Sequence, residues 1–422
     1  MNILILGSGG REHALAWAIA QNPKCGALYV ASGNAGIVAP ARTVALDPCN
    51  GAQVVAFAKE NAIDFIIIGP EAPLAAGVAD ITRAAGFLTF GPSAKAARIE
   101  SSKAFTKELC DACGAPTAAY ARFNRADLAR AYIEKHGAPI VVKADGLAGG
   151  KGVIVAMTKP EALEAIDDMF GGEFGEAGAE VVIEAFLTGE EASFFVLTDG
   201  VNALPVGTAQ DHKRVGNGDT GPNTGGMGAY SPAPVMTTTV IDQTMTEIIL
   251  PTIAEMARRG TPYQGVLFAG LMIEDGRAQL IEYNARFGDP ETQVLMMRLG
   301  AQALDLLLAC AKGQLDQITV QWADDHALTV VMANQGYPGA YDKGAKIGGL
   351  DRINADSNAM VFHAGTAAKE GAILATGGRV LSVTARGITL AQAQKRAYGM
   401  IDQIDWPTGF CRRDIGWRAL EK

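Results

Sequence analysis

Residues 280–290, LIEYNARFGDP, carry the residue types and spacing of phosphate chemistry. Glu282 and Asn284 stand two apart in a strand-like run, so their side chains point to one face. A carboxylate beside an amide oxygen, with no His or Cys nearby, suits a hard ion such as Mg²⁺ that keeps phosphate oxygens in its coordination shell. Arg286 continues the row and can bind a carboxylate or phosphate through two N–H groups. A solvated strand face would give the same polar alternation.

Residues 146–152, GLAGGKG, form a glycine-rich loop that resembles a P-loop but departs from it. Asp145 and Gly152 stand where the P-loop pattern needs Gly and then Ser or Thr, and a strand-like run follows instead of a helix. We therefore expect a flap between two hairpin strands, with Lys143 and Lys151 as positive charges for phosphate. Lys143 interrupts an apolar strand, and a lysine directed inward needs an anionic partner. An edge-strand lysine that faces water is the alternative.

Residues 210–232, QDHKRVGNGDTGPNTGGMGAYSP, have no apolar period and contain six glycines. Lys213 and Arg214 supply positive charge, and the glycines allow the backbone to fold over an anion. The sequence contains no G-x-S-x-G or HExxH motif, and its five histidines are scattered. Lysines, arginines, glycines and a metal-binding face together favour phosphoryl transfer, which depends on positioning and charge neutralisation.

The first glycine turn, GSGGREH, matches the dinucleotide-binding fingerprint only in part. Gly7 and Gly9 fit the pattern, but Glu12 stands where the third glycine belongs, and the next strand, ALYVAS, has no terminal acidic residue for a ribose. This argues against NAD. A phosphate at the helix N-terminus stays open, because the backbone N–H groups of Gly9 and Gly10 can approach it. A tight turn without a ligand is the alternative.

The elements that position these residues fall into three predicted units. Strand, glycine turn and helix alternate at the N-terminus, and DFIIIG leads into a loop with Glu71 and a helix near 77–86, which predicts a doubly wound parallel sheet. The second unit combines a hairpin around 146–152 with further strands, a helix near 236–258, and two strands joined at Asp275 and Gly276. A third, small α+β unit has strands at 327–333 and 379–385 and an amphipathic helix at 389–403. The predicted boundaries are 1–102, 103–325 and 326–422.

Composition limits the class of protein. A hydrophobic content of 49% and a charged content of 19% indicate an ordered globular chain, and the net charge of −9 argues against nucleic-acid binding. The sequence shows no signal-peptide pattern and no apolar run of about 18 residues, so we expect no membrane association and a cytoplasmic protein. The six cysteines show no disulfide framework. Cys110 and Cys113 form one CxxC, which we interpret as a buried helix face.

At this point the sequence resembles the ATP-grasp ligases, and among them the glycinamide ribonucleotide synthetase family. The resemblance runs nearly end to end, with these motifs in the family's order: LGSGGREHALAW, GPEAPLAAG, SKAFTK, VVKADGLAGGKGV, IEAFLTGEEASF, QDHKRVGNGDTGPNTGGMGAYSP, EYNARFGDPETQ, QGYPG, VFHAGT and GGRVLSVTA. It implies a central ATP-grasp fold with a mobile lid at about 117–188. It also implies ligation of glycine to 5-phosphoribosylamine, with ATP cleaved to ADP and phosphate through glycyl phosphate, in purine synthesis.

The resemblance also assigns residues. It implies nucleotide contacts from Lys103, Lys143, Gly150, Lys151, Glu184, Ala185, Phe186, Leu187, Glu191, Arg214 and Asn223. It implies Mg²⁺ or Mn²⁺ at Glu282 and Asn284, substrate contacts from Gly9, Gly10, Glu71, Asp211 and Arg286, and catalytic roles for Lys143, Arg214 and Arg286. A further acidic metal ligand of the general ATP-grasp pattern has no counterpart near AGLMIE.

Two other functions compete with this one. A different carboxylate–amine ligase of the same fold would share the ATP and metal residues but differ in its acceptor loops, and the long match across 210–232 opposes it. A nucleotide-sensing module without catalysis would not need Glu282, Asn284 and two lysines together. For the ligase we expect a monomer, with transient contact to the amidotransferase that supplies the amine.

Overall fold

The computed structural model describes residues 1–37, 41–146, 152–171, 180–353 and 358–421. The N-terminal unit consists of β1 (Ile3–Gly7), α1 (Gly10–Ala20), β2 (Leu28–Ser32), β3 (Arg42–Val44), α2 (Gly51–Glu60), β4 (Phe65–Ile68), α3 (Glu71–Ala75), α4 (Val78–Ala84), β5 (Leu88–Phe90) and α5 (Ala94–Ser101). Its five strands are all parallel and lie in the order β3-β2-β1-β4-β5. Every residue of β1 and β4 is buried, as expected for the centre of a parallel sheet. The predicted parallel sheet is confirmed.

The middle unit contains a small four-stranded sheet, a two-stranded sheet, and part of a large sheet. Its elements are α6 (Lys103–Cys113), β6 (Tyr120–Phe123), α7 (Ala126–His136), β7 (Ile140–Ala144), β8 (Val153–Ala156), α8 (Lys159–Phe170), β9 (Val181–Ala185), β10 (Glu190–Asp199), β11 (Ala203–Asp211), β12 (Arg214–Gly216), β13 (Thr220–Asn223), β14 (Gly228–Ser231), α9 (Thr238–Thr244), α10 (Leu250–Arg258), β15 (Gln264–Glu274), β16 (Arg277–Asn284), α11 (Glu291–Leu299) and α12 (Gln302–Lys312). The small antiparallel sheet has the order β6-β9-β7-β8, and the two-stranded sheet pairs β12 with β13. The antiparallel pairing of β7 with β8 confirms the predicted hairpin.

The C-terminal unit continues the large sheet of the middle unit. It consists of β17 (His326–Asn334), β18 (Lys346–Ile347), β19 (Ala359–His363), β20 (Thr366–Lys369), β21 (Ala372–Ala375), β22 (Arg379–Gly387), α13 (Leu390–Ile401), β23 (Gly409–Phe410) and α14 (Trp417–Leu420). The large sheet has the order β16-β15-β10-β11-β14-β17-β22-β19, and β23 also pairs with β17. Because β14 pairs with β17, the predicted third unit is joined to the second by backbone hydrogen bonds.

The structure refines two local predictions. Glu71, predicted in a loop, is the first residue of the five-residue helix α3, which precedes α4. The helix predicted near 236–258 consists of α9 and α10, joined by one π-helical turn at Met245–Ile249.

Apolar packing fixes the units against one another. One cluster joins Leu15 and Ile19 of α1 to Leu295 of α11 and Leu304 of α12, all with exposures of 1% or less. The apolar face of α1 therefore holds the first glycine turn against the start of α11. In the described part of the chain, no single helix has the length and apolar character to cross a membrane, although α11 and α12, bent by 103°, meet that criterion as a pair.

Candidate active site

A cavity of about 490 Å³ lies between the small antiparallel sheet and the large sheet. This volume is typical of small-molecule sites. Among the residues predicted for the site, the cavity is lined by Glu71, Lys103, Lys143, Glu184, Ala185, Phe186, Leu187, Glu191, Asp211, Asn223, Glu282, Asn284 and Arg286. Gly9, Gly10 and Arg214 are not among its lining residues, and Gly150 and Lys151 lie outside the described residues.

Glu184 lies between two buried lysines on one wall of the cavity. Its carboxylate contacts Lys143 Nζ at 3.0 Å and Lys107 Nζ at 3.4 Å, and all three side chains are at most 5% exposed. The predicted anionic partner of Lys143 is therefore Glu184, which faces it from the neighbouring strand. Two ammonium groups share one carboxylate, so this wall carries an excess positive charge that a polyanion can neutralise. Lys107 was not among the site residues predicted from the sequence, although it is the last residue of the motif SKAFTK.

Lys103 is held where the small sheet meets α6. Ser102 caps this helix by accepting the N–H of Phe105, and its hydroxyl donates to Asp145 at the end of the flap strand. Lys103 Nζ donates to the carbonyl of Gly146 at 3.0 Å, immediately before the part of the flap that lies outside the described residues. Burial lowers the pKa of Lys103, and the charge of Lys143 acts in the same direction. A bound anion would relieve both effects.

One end of the cavity is apolar. Its walls come from alternate positions of β7 and β8, from the chain after β9, and from the two strands opposite: Val141, Val153, Val155, Phe186, Leu187, Met272 and Ile281. Side chains at alternate strand positions share a face, which explains why valines and Lys143 line the same wall. An aromatic base fits this surface, while the lysines lie toward the polar end.

The predicted metal-binding pair lies at the polar end. Glu282 and Asn284 are half-buried on β16, and neither side chain makes a hydrogen bond to the described residues. Free oxygen atoms of a carboxylate and an amide form a suitable donor set for a hard divalent ion. Among the described residues, no group of three His, Cys, Asp or Glu side chains could hold a metal alone. Phosphate oxygens and water would therefore complete the coordination of a bound ion.

Arg286 lies beside this pair and between two carboxylates. Its Nε contacts Glu71 at 3.3 Å, and its Nη2 contacts Glu100 at 3.2 Å. Burial raises the pKa of Glu100 despite the nearby guanidinium. Burial also acts to raise the pKa of Glu71, but the charge of Arg286, a backbone N–H and the charge of Arg11 together outweigh it, and the net shift is downward. Arg286 and Glu71, each predicted separately as a substrate contact, are thus paired with one another, and Glu100 is a second carboxylate on the same guanidinium.

Of the two cations expected to supply charge from segment 210–232, Lys213 lines the cavity and Arg214 does not. Lys213 Nζ contacts Asp211 at 2.9 Å and Glu191 at 2.8 Å. Arg214 points elsewhere and donates to the carbonyl of Gly221 at 2.7 Å. Adjacent residues of an extended chain face opposite sides, so Asp211 and Lys213 share a face from which Arg214 is excluded.

The first glycine turn is filled by the side chain of Glu12. Its carboxylate accepts the N–H of Gly9 at 2.6 Å, and a Cβ atom at Gly7 would lie 2.6 Å from it. Glu12 also pairs with Arg11 at 2.5 Å. The carboxylate thus stands where the third glycine of the dinucleotide fingerprint would leave space. A phosphate bound by the Gly9 N–H would first have to displace it.

Comparison with known proteins agrees with this geometry. Family models of phosphoribosylglycinamide synthetase match the chain as an N domain over residues 1–100, an ATP-grasp (A) domain over 101–292 and a C domain over 327–418. The chain belongs to the phosphoribosylglycinamide synthetase family. It is 62% identical over 422 residues to a phosphoribosylamine–glycine ligase from Agrobacterium fabrum, covering 100% of this chain and 99% of the relative.

Solved structures show the same architecture for members of this family and for more distant proteins. A phosphoribosylamine–glycine ligase from Thermotoga maritima is 32% identical, with a TM-score of 0.86 and coverage of 99% of this chain and 100% of that one. A biotin carboxylase from Campylobacter jejuni shares the fold at 15% identity and a TM-score of 0.73, with coverage of 100% and 95%. These matches confirm the predicted ATP-grasp fold.

The structure adds residues from all three family domains to the cavity. Arg379, from the C-terminal unit, donates to the backbone carbonyl of Asp289 at 2.6 Å and to that of Gly226 at 3.2 Å. Arg11, from the N-terminal unit, also lines the cavity and donates its backbone N–H to the Asp289 side chain at 3.2 Å. Glu291 is a further acidic lining residue. The sequence signal for Arg379 is the motif GGRVLSVTA, which was quoted for the family without a role.

Proposed function

We propose that this chain joins glycine to 5-phosphoribosylamine with cleavage of ATP, and so forms glycinamide ribonucleotide, ADP and phosphate in de novo purine synthesis. The observation that carries the proposal is the shared cavity. In it, the buried lysines, the free oxygens of Glu282 and Asn284, and Arg286 line one space with an apolar end. Membership of the phosphoribosylglycinamide synthetase family supports the choice of substrates.

The reaction needs activation because an ionised carboxylate does not acylate an amine. In the proposed path a carboxylate oxygen of glycine attacks the γ-phosphorus of ATP, and the bond from that phosphorus to the β-phosphate oxygen breaks to release ADP. The amine of phosphoribosylamine then attacks the carbonyl carbon of glycyl phosphate. Phosphate leaves with the electron pair of the C–O bond, and the nitrogen loses a proton.

The protein supplies charge and position for both steps. Lys103 and Lys143 would neutralise the phosphates at the polar end of the cavity, together with the predicted flap residues Gly150 and Lys151. Arg286 would orient the glycine carboxylate or the acyl phosphate by two N–H contacts. Glu71 fixes one edge of its guanidinium.

The nucleotide would lie along the length of the cavity. Its base would contact the apolar end at Phe186 and Leu187 and the backbone of 184–187. Glu191 would bind the ribose, which requires it to exchange part of its contact with Lys213. Asn223 lines the cavity from β13 and supports the proposed contact of the glycine-rich segment 210–232 with phosphate. Arg214 stays a predicted contact that closure of this segment would have to bring in.

Glu282 and Asn284 would hold Mg²⁺ or Mn²⁺. A divalent ion in this position supplies positive charge to the phosphate oxygens and aligns the triphosphate. For the phosphate of phosphoribosylamine, Gly9 and Gly10 stay the predicted site, with displacement of the Glu12 carboxylate as a requirement. The monomeric state, the cytoplasmic location and the contact with an amidotransferase also stay predictions.

Release of ADP tests the proposal. We expect little ADP with ATP alone and sustained release only when glycine and phosphoribosylamine are both present, with glycinamide ribonucleotide formed in equal amount. A nucleotide-sensing module would release no ADP under any of these conditions. A different ligase of this fold would release ADP with another carboxylic acid and would release none with glycine. Either result would refute the proposed function.

A further inference from the structure

Glu291 is a buried cavity carboxylate without a cationic partner. It is the first residue of α11 and is 4% exposed. Its Oε1 accepts the hydroxyl of Ser193 at 3.4 Å, and no ion pair involves Glu291 in the described part of the chain. Of the carboxylates that line the described cavity, only Glu282 and Glu291 lack a cation within 4 Å. Glu282 belongs to the proposed metal site, so Glu291 alone has no assigned ligand.

The backbone is shaped to accept this carboxylate. A Cβ atom at position 288 would lie 2.3 Å from Glu291 Oε2, so Gly288 leaves the space that the side chain needs. Burial raises the pKa of Glu291 to about 7, and the charge of Asp211 acts in the same direction. The positive charges of Lys213 and Arg286 oppose this shift without pairing with Glu291. A buried carboxylate is costly until a cation reaches it, so this position favours binding of a positively charged group.

The surroundings indicate which cation fits. Arg286, which would hold the substrate carboxylate, is close enough that the charges of both Glu282 and Glu291 act on its pKa. The negative charge of Asp211 also acts on Glu291, and Lys213, which pairs with Asp211, pairs with Glu191 as well. A small molecule with a carboxylate at one end and an ammonium group two bonds away would contact Arg286 and the acidic pair together.

We propose that Glu291, together with Asp211, binds the ammonium group of glycine. This inference rests on the proposed function and deepens it, because it assigns the residue that distinguishes an amino acid from a neutral carboxylic acid. Charge-assisted hydrogen bonds from the ammonium to Glu291 would fix the carboxylate of glycine beside Arg286 in the orientation for attack. Asp211 was already predicted from the sequence to contact substrate, whereas Glu291 is newly assigned to the ammonium-binding site.

The test compares Glu291→Gln with the wild-type enzyme, using glycine and glycolate as alternative substrates. Glycolate has a hydroxyl where glycine has its ammonium, and both keep the carboxylate. ADP release is measured as each acid is varied at saturating ATP and phosphoribosylamine. We expect Glu291→Gln to raise the KM for glycine roughly 10- to 100-fold and to leave the KM for ATP within about twofold. The ratio of kcat/KM for glycine to that for glycolate should fall by at least about tenfold.

Two further variants guard against a merely structural effect. Glu291→Asp keeps the charge and should retain part of the preference for glycine. Glu247→Gln removes an exposed carboxylate that pairs with Arg277 outside the cavity, and should change neither parameter. Urea unfolding shows whether each variant is folded. If Glu291→Gln does not fold, the preference is measured in Glu291→Asp, where an unchanged ratio overturns the inference.

The possible results separate the inference from the proposed function. An unchanged ratio in folded Glu291→Gln shows that Glu291 does not contact the ammonium group. A rise in the KM for phosphoribosylamine with no change for glycine places the other amine at Glu291, and also overturns the inference. If the wild-type enzyme releases no ADP in response to glycine, the proposed function fails before Glu291 is tested.

Discussion

Removal of the Glu184 carboxylate provides a direct test of how the two lysines are held in the cavity. Glu184→Gln keeps the size of the side chain and removes the charge that Lys143 and Lys107 share at 3.0 and 3.4 Å. The side chains lie at most 5% exposed, so water cannot replace the lost carboxylate without entering the wall. The variant should therefore lose stability and not only activity.

The size of the loss follows from what each lysine retains. Lys107 keeps the Thr117 hydroxyl at 2.7 Å and the Ala118 carbonyl at 3.1 Å as acceptors. Lys143 keeps only the carbonyl of Ile281 at 3.3 Å among the described residues. Removal of one partner from a buried ion pair typically costs about 3 to 5 kcal/mol. We expect the free energy of unfolding of Glu184→Gln to fall by an amount in this range, mainly because the Lys143 ammonium is left without a carboxylate.

Urea unfolding followed by circular dichroism measures this loss. Glu180→Gln is the matched control, because Glu180 lies just before the same strand and pairs with Arg122 at the surface. It should change the free energy of unfolding by no more than about 0.5 kcal/mol. Lys143→Met in the Glu184→Gln background should recover part of the loss, since it removes the unpaired charge. Equal stability of the Glu184 and Glu180 variants, or no recovery in the double variant, would refute the reasoning.

Three other expectations follow from the site. Glu282→Ala should abolish ADP release while moving the urea midpoint little, because its half-buried carboxylate has no ion-pair or hydrogen-bond partner among the described residues; normal turnover would exclude a metal role. Lys213→Met should lower kcat/KM for ATP more than Arg214→Met, because only Lys213 lines the cavity; the reverse order would show that segment 210–232 rearranges. The raised pKa means that Glu291 binds its proton more tightly in the native protein than in the unfolded chain. The free energy of unfolding should therefore fall by about 3 kcal/mol as pH rises from about 4.5 to 7. Urea titrations of Glu291→Gln should lack this decrease.

The sequence was sufficient where the chemistry depends on neighbours along one strand. Glu282 and Asn284 were placed on one face by the period of two, and the structure puts both in the cavity. Lys143 was expected to need an anion because it interrupts an apolar strand. That anion, Glu184, lies 41 positions along the chain but on the neighbouring strand, because β9 pairs with β7 and sets Glu184 opposite Val141, two positions from Lys143. The need for a partner was therefore predictable, but its identity depended on strand register.

Contacts between units could not be read from local patterns. Arg379 reaches the cavity because β22 pairs with β17, which in turn pairs with β14. Each pairing joins residues at least 46 positions apart in the chain, as for Ala333 and Arg379, and neither carries a signal within its own strand. Glu12 shows a related limit. The sequence shows that Glu12 stands at the third glycine position of the fingerprint. It does not show that the Glu12 carboxylate accepts the Gly9 N–H, because this contact depends on the close approach of the backbone at Gly7 and Gly69.

Lys213 and Arg214 show where a valid rule was applied too narrowly. Both were expected to supply charge, since a glycine-rich segment has no regular pattern of burial. However, β11 continues to Asp211, so the strand alternation still holds two residues further on. Counted from Asp211, this alternation places the Lys213 side chain on the cavity face and the Arg214 side chain on the other face, as observed. The glycines begin at position 216, and the turn at Asn217–Asp219 is where the extended backbone, and the period that orients its side chains, is interrupted before β13.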